Sequence, residues 1–175
     1  MTLVAILSLL IMIFLLILFF VIWFWINLSN KSPYYPSIVK KIQSLVDDKE
    51  ISISANTKFV DLGSGDGRVV FYFAKLNILQ ADGIEINPFL SLLSRFLKTV
   101  LRLKNVKIYN KDFLKHDLGC YNLVYMFLID NQIDKLLEKI KQEKKNSEVI
   151  VISNTFQSSK FLPYKKVDTF YFYKI

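Results

Sequence analysis

One stretch, FVDLGSGDGR from Phe59 to Arg68, constrains the fold more than any other part of the sequence. Apolar residues suited to a strand lead to Asp61, three glycines follow at alternate positions, and a helix-compatible run extends from Val69 to Lys75. Glycine adopts positive φ at little steric cost and lets a ligand approach the backbone, while amides at the next helix start point toward that ligand. The order strand, tight turn and helix predicts a nucleotide-sized docking site. The three glycines are Gly63, Gly65 and Gly67.

The spacing of these glycines separates two kinds of nucleotide site. A dinucleotide-binding fold requires G-x-G-x-x-G, and Arg68 occupies the position of its third glycine, which weakens that interpretation. An acid two residues before the first glycine, here Asp61, followed by G-x-G-x-G resembles motif I of class I methyltransferases that use S-adenosylmethionine (SAM). The remaining alternative is a glycine-rich turn without a ligand.

A second acidic residue argues against a glycine-rich turn that binds no ligand. The run QADGIEI, Gln80 to Ile86, predicts a second strand with Glu85 near its end. In a doubly wound sheet the carboxyl end of this strand lies beside the turn that follows the first strand. Glu85 can therefore accept hydrogen bonds from both hydroxyls of a ribose. The sequence predicts an α/β, Rossmann-like fold with a mostly parallel sheet.

Later segments extend the predicted sheet. A third strand runs from Val106 to Tyr109, and Tyr121 to Ile129 is apolar enough for a buried central strand. Asp130 and Asn131 follow the central strand at the carboxyl edge, where open α/β proteins bind ligands. The remaining predicted elements are a charged helix from Ile133 to Lys145, a strand from Glu148 to Ser153, and an antiparallel hairpin of Lys160 to Lys166 and Asp168 to Lys174.

Two helices have recognisable N-terminal signals. Ser37 can cap a helix that extends to about Asp47, and Asn87 can cap another helix with Pro88 at its first position. The first helix is predicted to pack without taking part in chemistry. The second has an apolar stripe predicted to face the core, formed by Leu90, Leu93, Leu97, Val100 and Leu101.

The N-terminal segment predicts a membrane anchor. Leu3 to Ile26 contains no charge, and as a helix it would span about 36 Å, enough for a bilayer core. A cleaved signal peptide is disfavoured because Trp23 and Trp25 stand where small residues would be needed. Lysines follow the segment, which predicts a single-pass protein with a cytoplasmic domain. The predicted division is 1–30 anchor, 31–57 linker and N-terminal helix, and 58–175 methyltransferase domain.

The amino-acid composition limits the kinds of partner and metal site that we expect. The net charge is +8, yet the chain has only three arginines and its lysines are scattered, so no nucleic-acid partner is expected. Cys120 is the only cysteine, which excludes an internal disulfide and a CxxC metal site, and we expect it to be a buried, inert thiol. His116 is predicted to be solvated, and no metal site is expected.

Seven segments together carry a more specific resemblance. They are PYYPS (33–37), VDLGSGDGR (60–68), GIEINP (83–88), the pair Ser94 and Arg95, KDFLK (111–115), MFLIDN (126–131) and SNTF (153–156). From Pro33 onward the chain resembles small seven-strand protein lysine methyltransferases. That family includes the mitochondrial enzymes that modify the ATP synthase c-subunit and the adenine nucleotide translocase, and broad-specificity archaeal enzymes. The mitochondrial members also carry an apolar membrane segment ahead of the domain.

The resemblance implies SAM as cofactor and a role for each matching residue. In SAM enzymes an acid at Asp112 accepts from the adenine amino group while an apolar neighbour, here Phe113, holds the ring. Asp130 departs from the family, which usually has proline or threonine there. Cofactor-binding residues are expected at Asp61, Gly63, Ser64, Gly65, Gly67, Glu85, Ile86, Asp112 and Phe113. Substrate-binding residues are expected at Tyr34, Tyr35, Phe127, Asp130, Asn131 and Phe156, with Asp130 and Tyr35 as catalytic candidates.

The expected activity is SAM-dependent methylation of a lysine amine on a membrane protein. A partly desolvated aromatic channel favours the neutral amine, which in water has a pKa near 10.4. Two alternatives stay open at this point. One is methylation of a small molecule or lipid, and the other is a membrane module that binds SAM without catalysis.

Overall fold

A computed structural model describes residues 3–29, 39–128, 130–144 and 148–175, with the backbone alone at residues 24–29, 130 and 131. The chain divides into two compact units, one ending at Tyr34 and the other beginning at Tyr35. The predicted helix cap Ser37 and the predicted substrate residues Tyr34 and Tyr35 lie outside the described residues.

The first unit contains helix α1, Leu3–Ser29, with 27 residues. At about 1.5 Å per residue the helix is roughly 40 Å long. Its segment Leu3–Trp23 is long and apolar enough to cross a membrane, and none of that segment is buried. By length and composition, α1 has the properties predicted for the membrane span.

The second unit is a seven-stranded sheet with helices on both faces. Its strand order is β3-β2-β1-β4-β5-β7-β6. The first five strands run parallel, whereas β7 is antiparallel to both β5 and β6. This confirms the predicted, mostly parallel sheet with a C-terminal antiparallel hairpin. The elements are α2 Val39–Asp47, β1 Lys58–Leu62, α3 Arg68–Ala74, β2 Gln80–Glu85, α4 Pro88–Val100, β3 Val106–Asn110, β4 Leu123–Met126, α5 Asp130–Glu143, β5 Ile150–Asn154, β6 Lys165–Val167 and β7 Phe170–Lys174.

Strand alternation divides the core into two layers, because successive side chains point to opposite faces of a sheet. On one face α2 and α3 cover the strands, and the rings of Phe59 and Phe73 stack with their centroids 3.9 Å apart. On the other face α5 buries Ile133, Leu136 and Ile140 against the strands. Each such side chain contributes about 1.5–3 kcal/mol by leaving water. The two layers hold the carboxyl edge of the parallel strands in place.

Several predictions of local structure were wrong. The central strand is shorter than Tyr121 to Ile129, and the chain leaves the sheet after Met126. Cys120 is exposed instead of buried. On α4, Val100 is 60% exposed and so does not belong to a core stripe, and neither does Leu101 just after the helix, at 44%.

Candidate functional site

The glycine-rich corner between β1 and α3 has the predicted backbone geometry. Gly63, Gly65 and Gly67 have φ of +81°, +55° and +85°, values that an L side chain rarely adopts. The amides of Gly63 and Ser64 both donate to the carbonyl oxygen of Ile84, at 2.8 and 3.1 Å. The corner is therefore tied to the end of β2.

Glu85 completes this tie with its side chain. Its Oε2 accepts from the amide of Gly65 at 2.8 Å, and its Oε1 accepts from the amide of Asn87 at 2.8 Å. The buried carboxylate thus bridges the corner and the N-terminus of α4, whose cap is Asn87. The structure brings Glu85 to the corner, as predicted from parallel-sheet geometry.

The sequence interpretation had amides at the start of the next helix facing the ligand, but the amide of Arg68, the first residue of α3, donates to Oδ1 of Asp66 at 3.3 Å. The amides of Gly63, Ser64 and Gly65, earlier in the corner, donate to β2. A ligand at this corner therefore meets side-chain acceptors and the open side of the glycines. A Cβ on Gly63 would have Leu128 as its nearest neighbour, 3.7 Å away, so space is not what requires glycine there.

Asp61 adds a second buried carboxylate at the end of β1. Burial raises the pKa of the Asp61 carboxyl well above its usual range, and the nearby charges of Glu85 and Asp66 raise it further. Two buried acids therefore lie close together at the edge between β1 and β2, where an uncompensated negative charge is unfavourable. A ligand that carries a cation and hydroxyl donors would compensate both carboxylates.

The end of β3 contributes a residue that the sequence interpretation did not assign. Asn110 is in register with Glu85, and its side-chain amide donates to the carbonyls of Glu85 and Ile86 at 2.9 and 3.1 Å. Asp112 accepts from the amide of Leu114 at 2.9 Å and caps a single 3₁₀ turn. Asn110 fixes the backbone that carries Glu85. The available signal was an amide side chain at the last position of the strand.

Apolar side chains flank these polar groups. Ile86 follows Glu85 and is 63% exposed, while Phe113 is half-buried beside the core. The hydroxyl of Ser64 is buried and packs against β2, where a Cβ on Gly83 would lie only 2.6 Å from it. Gly83 is therefore required for the corner to pack against the strand.

Beyond β4 and β5 the edge becomes aromatic. Phe127 and Phe156 come off the ends of these strands, and their ring centroids are 6.5 Å apart. Ser153 Oγ donates to the carbonyl of Phe156 at 2.6 Å, and the amide of Thr155 donates to the carbonyl of Thr169 at 2.7 Å. Backbone contacts thus hold one of the two rings. The structure brings these two predicted substrate residues together.

Asp130 and Asn131, the other predicted substrate residues after β4, open helix α5. Their side chains lie outside the described part of the structure, so the roles predicted for them stay predictions.

His116 is partly buried, and so is less solvated than predicted. Its Nε2 lies 3.3 Å from the hydroxyl of Tyr121, which donates to Asp82 at 2.8 Å, and its ring packs against Tyr109. Burial lowers the pKa of His116, and the charge of Lys111 lowers it further. Within the described residues no group of three or more His, Cys, Asp or Glu side chains is arranged to hold a metal.

The fold assigns the class of protein. The structure resembles the crystal structure of an RNA methyltransferase from Salinibacter ruber in complex with S-adenosyl-L-homocysteine, with a TM-score of 0.72. The two are 23% identical, and the match covers 81% of this chain and 94% of the other. The fold is that of the class I SAM-dependent methyltransferases.

Sequence comparison assigns the family. The ANTKMT methyltransferase domain matches residues 61–165, and the chain belongs to this family, which confirms the resemblance. It is 26% identical over 123 residues to the ATP synthase c-subunit lysine N-methyltransferase of Caenorhabditis elegans, covering 67% of this chain and 64% of that protein. It is 36% identical over 120 residues to the adenine nucleotide translocase lysine N-methyltransferase of Mus musculus, covering 67% and 51%. The chain therefore spans about half to two thirds of these curated relatives.

Membership of this family assigns SAM as the cofactor, and the observed site fits it. SAM carries a sulfonium, an ammonium and two ribose hydroxyls, which suit an edge where Asp61 and Glu85 are both buried carboxylates. Glu85 uses one lone pair on each oxygen for backbone amides, and a carboxylate has about four in all. Ile86 and Phe113 would offer apolar surface to an adenine ring. The described residues therefore offer the acids, hydrogen-bond acceptors and apolar surface that suit SAM.

Proposed function

We propose that this protein is a SAM-dependent N-methyltransferase that acts on a lysine side chain of a membrane protein. The observation that carries the proposal is the juxtaposition of two unlike sites on one sheet edge. The carboxylate of Glu85 is bonded to the glycine corner, and the aromatic pair Phe127 and Phe156 follows the neighbouring strands. Leu128 joins the two sites, since it lies over Gly63. The lysine methyltransferases among its relatives support the choice of acceptor.

The chain's own residues have separate tasks in this proposal. When bound, SAM supplies an electrophilic methyl group. Glu85 accepts hydrogen bonds from the ribose, and the negative charge of Asp61 stabilises a cationic ligand. Phe127 and Phe156 exclude water from the acceptor, and partial desolvation lowers the pKa of an amine so that more of it is neutral. Positioning of donor and acceptor then provides most of the rate enhancement.

Asp130 and Tyr35 remain the proposed catalytic candidates. A carboxylate at Asp130 would attract the incoming ammonium, yet it would also raise the pKa of that amine unless it takes the proton itself. Asn131 and Tyr34 remain candidates for substrate binding. No general base is required if the lysine ammonium loses its proton to water before the neutral amine attacks the methyl group.

Membrane association is the second part of the proposal. Helix α1 has the length and composition of a span, and Lys31, Lys40 and Lys41 follow it in the sequence. By the positive-inside rule the methyltransferase unit lies on the cytoplasmic side. Confinement near the bilayer raises the effective concentration of membrane-protein substrates, provided that the linker lets the site face them.

Transfer of tritium from labelled SAM tests the acceptor class. Membranes are incubated with the full chain or with its Glu85→Gln variant, and protein and lipid fractions are counted before the modified residue is identified by mass spectrometry. We expect label on a lysine and none with the variant. Label in extractable lipid would replace the proposal with a lipid methyltransferase. Calorimetric binding of SAM without any transfer would replace it with a non-catalytic SAM-binding module.

The single cysteine tests the orientation. Cys120 is exposed and belongs to the methyltransferase unit, so a membrane-impermeant maleimide reports which side that unit occupies. Partial burial and the charge of Asp117 raise the pKa of this thiol, so labelling is run at mildly alkaline pH. We expect labelling only after intact cells are permeabilised. Labelling of intact cells would contradict the cytoplasmic placement.

A further inference from the structure

Helix α4 exposes an apolar face that the fold does not use. Phe89, Leu92, Phe96 and Val100 are 44%, 64%, 64% and 60% exposed. They follow helical i, i+3 and i+4 spacing and so lie on one face, which we call the α4 ridge. The opposite face is the packed one, with Leu90, Ser91 and Ser94 buried. The outer face of a surface helix is ordinarily polar.

The stretch of sequence that contains the α4 ridge is basic and lacks acids. The segment from Ile86 to Lys111 has six basic residues and no Asp or Glu. All of them except the half-buried Lys98 are exposed, and none forms an ion pair within the described part of the chain. We call them the basic rim. Its members are Arg95, Lys98, Arg102, Lys104, Lys107 and Lys111.

Helix α5, on the opposite face of the sheet, shows what an ordinary solvated face looks like in this protein. Its lysines alternate with acids, Lys139 pairs with Glu143, and Glu138 pairs with Lys160. The difference between α4 and α5 is therefore local and not a consequence of the basic composition of the whole chain.

We propose that the α4 ridge and its basic rim dock on the surface of an anionic lipid bilayer. An apolar helix face flanked by lysine and arginine lies in the interface of a membrane, with its apolar residues among the acyl chains and its cations at anionic headgroups. The choice of a bilayer as occupant rests on the membrane association proposed above, which the length and composition of α1 support. A second copy is disfavoured as occupant, because a two-fold contact would bring two acid-free basic rims together.

Docking in this way would orient the methyltransferase unit. The N-cap of α4 is Asn87, whose amide donates to Glu85, so the start of the ridge adjoins the cofactor corner. The carboxyl edge of the sheet would then lie at the lipid surface. This inference does not depend on lysine being the acceptor.

Spin labels on the full chain test the proposal. In a Cys120→Ser background, a nitroxide is placed at Leu92→Cys on the ridge or at Gln142→Cys on the exposed side of α5, and each protein is reconstituted into nanodiscs. The discs contain phosphatidylcholine alone or with added phosphatidylglycerol. Collision with oxygen, which concentrates in bilayers, is compared with collision with a water-soluble nickel chelate.

At residue 92 we expect anionic lipid to raise the oxygen-to-nickel accessibility ratio by about twofold or more, with no change at residue 142. Lys104→Gln with Lys107→Gln should reduce that rise, whereas the matched pair Lys135→Gln with Lys141→Gln on α5 should not. Equal ratios in both lipids, or equal losses in both lysine pairs, would overturn the proposal. Short label-to-label distances between copies at residue 92 would also overturn it in favour of self-association.

Discussion

The two halves of the carboxyl edge are built on different principles. Along β1 to β3, polar side chains contact backbone groups at the ends of the strands and in the turns that follow them: Glu85 accepts from two amides, and Asn110 donates to two carbonyls. Along β4 and β5, this edge carries the half-buried rings of Phe127 and Phe156. A cofactor half that relies on backbone hydrogen bonds can be preserved across many methyltransferases. An acceptor half made of side chains can change with the substrate.

The largest expected effect is in the cofactor half. In the parent protein the amides of Gly65 and Asn87 each donate to an oxygen of Glu85 at 2.8 Å. Glu85→Gln keeps the shape of the side chain but turns an NH₂ group toward one of these two amides. Loss of charge-assisted hydrogen bonds should weaken SAM binding about 100-fold or more. Isothermal titration calorimetry measures this change. The control is Glu138→Gln on α5, and equal affinities in the two variants would contradict the assigned role.

The acceptor half should respond in the opposite way. Phe127→Ala with Phe156→Ala should lower kcat for lysine methylation by about tenfold or more, because the acceptor amine becomes hydrated and less well positioned. The Kd for SAM should change by less than about twofold. On the same preparation, steady-state kinetics measures kcat, which reports the acceptor half, and calorimetry measures the Kd for SAM, which reports the cofactor half. As the control, Tyr164→Ala removes a ring from another loop. If the double Phe127→Ala, Phe156→Ala variant lost SAM affinity by as much as it lost kcat, the two halves would not be separable.

Asp61 should show a conflict between stability and binding. Its raised pKa means that ionising it costs folding free energy, so its contribution to stability is fully present at low pH and is lost as pH rises through the folded value. Asp61→Asn should therefore raise the melting temperature of the ligand-free protein at neutral pH by about 3 °C. The same change should weaken SAM binding about tenfold. Scanning calorimetry should show that the difference in melting temperature between the variant and the parent widens from acidic to neutral pH. A variant less stable than the parent at neutral pH would refute this account.

The smallest expected effect is at His116, behind the cofactor half. Its folded pKa lies below the ordinary 6.5, so the neutral ring adds stability above that value, and this is lost as pH falls through the folded pKa. Because the chain has one histidine, its NMR titration is unambiguous. We expect a midpoint below 6.5. Tyr121→Phe removes the hydroxyl near Nε2 as a control, and a parent midpoint at or above 6.5 would contradict the partly buried environment.

Much of the cofactor half could be read directly from the chain. Alternate glycines after an apolar run require positive φ, and all three adopt it. Glu85 was placed beside the corner because parallel strands bring their carboxyl ends to one edge. These conclusions depend on local backbone geometry and on strand order, both of which leave a strong pattern in sequence.

Only the tertiary structure decided which faces and partners those residues have. On α4, Leu90, Leu93 and Leu97 form one apolar stripe and Phe89, Leu92 and Phe96 form another, so periodicity alone does not choose the side that packs. The exposure of Cys120 and the partial burial of His116 also depend on neighbours outside the local sequence pattern. The amino-acid sequence by itself determined the elements, the corner and its acid. Packing determined the exposed surfaces, because burial is a property of contacts between elements and not of any one of them.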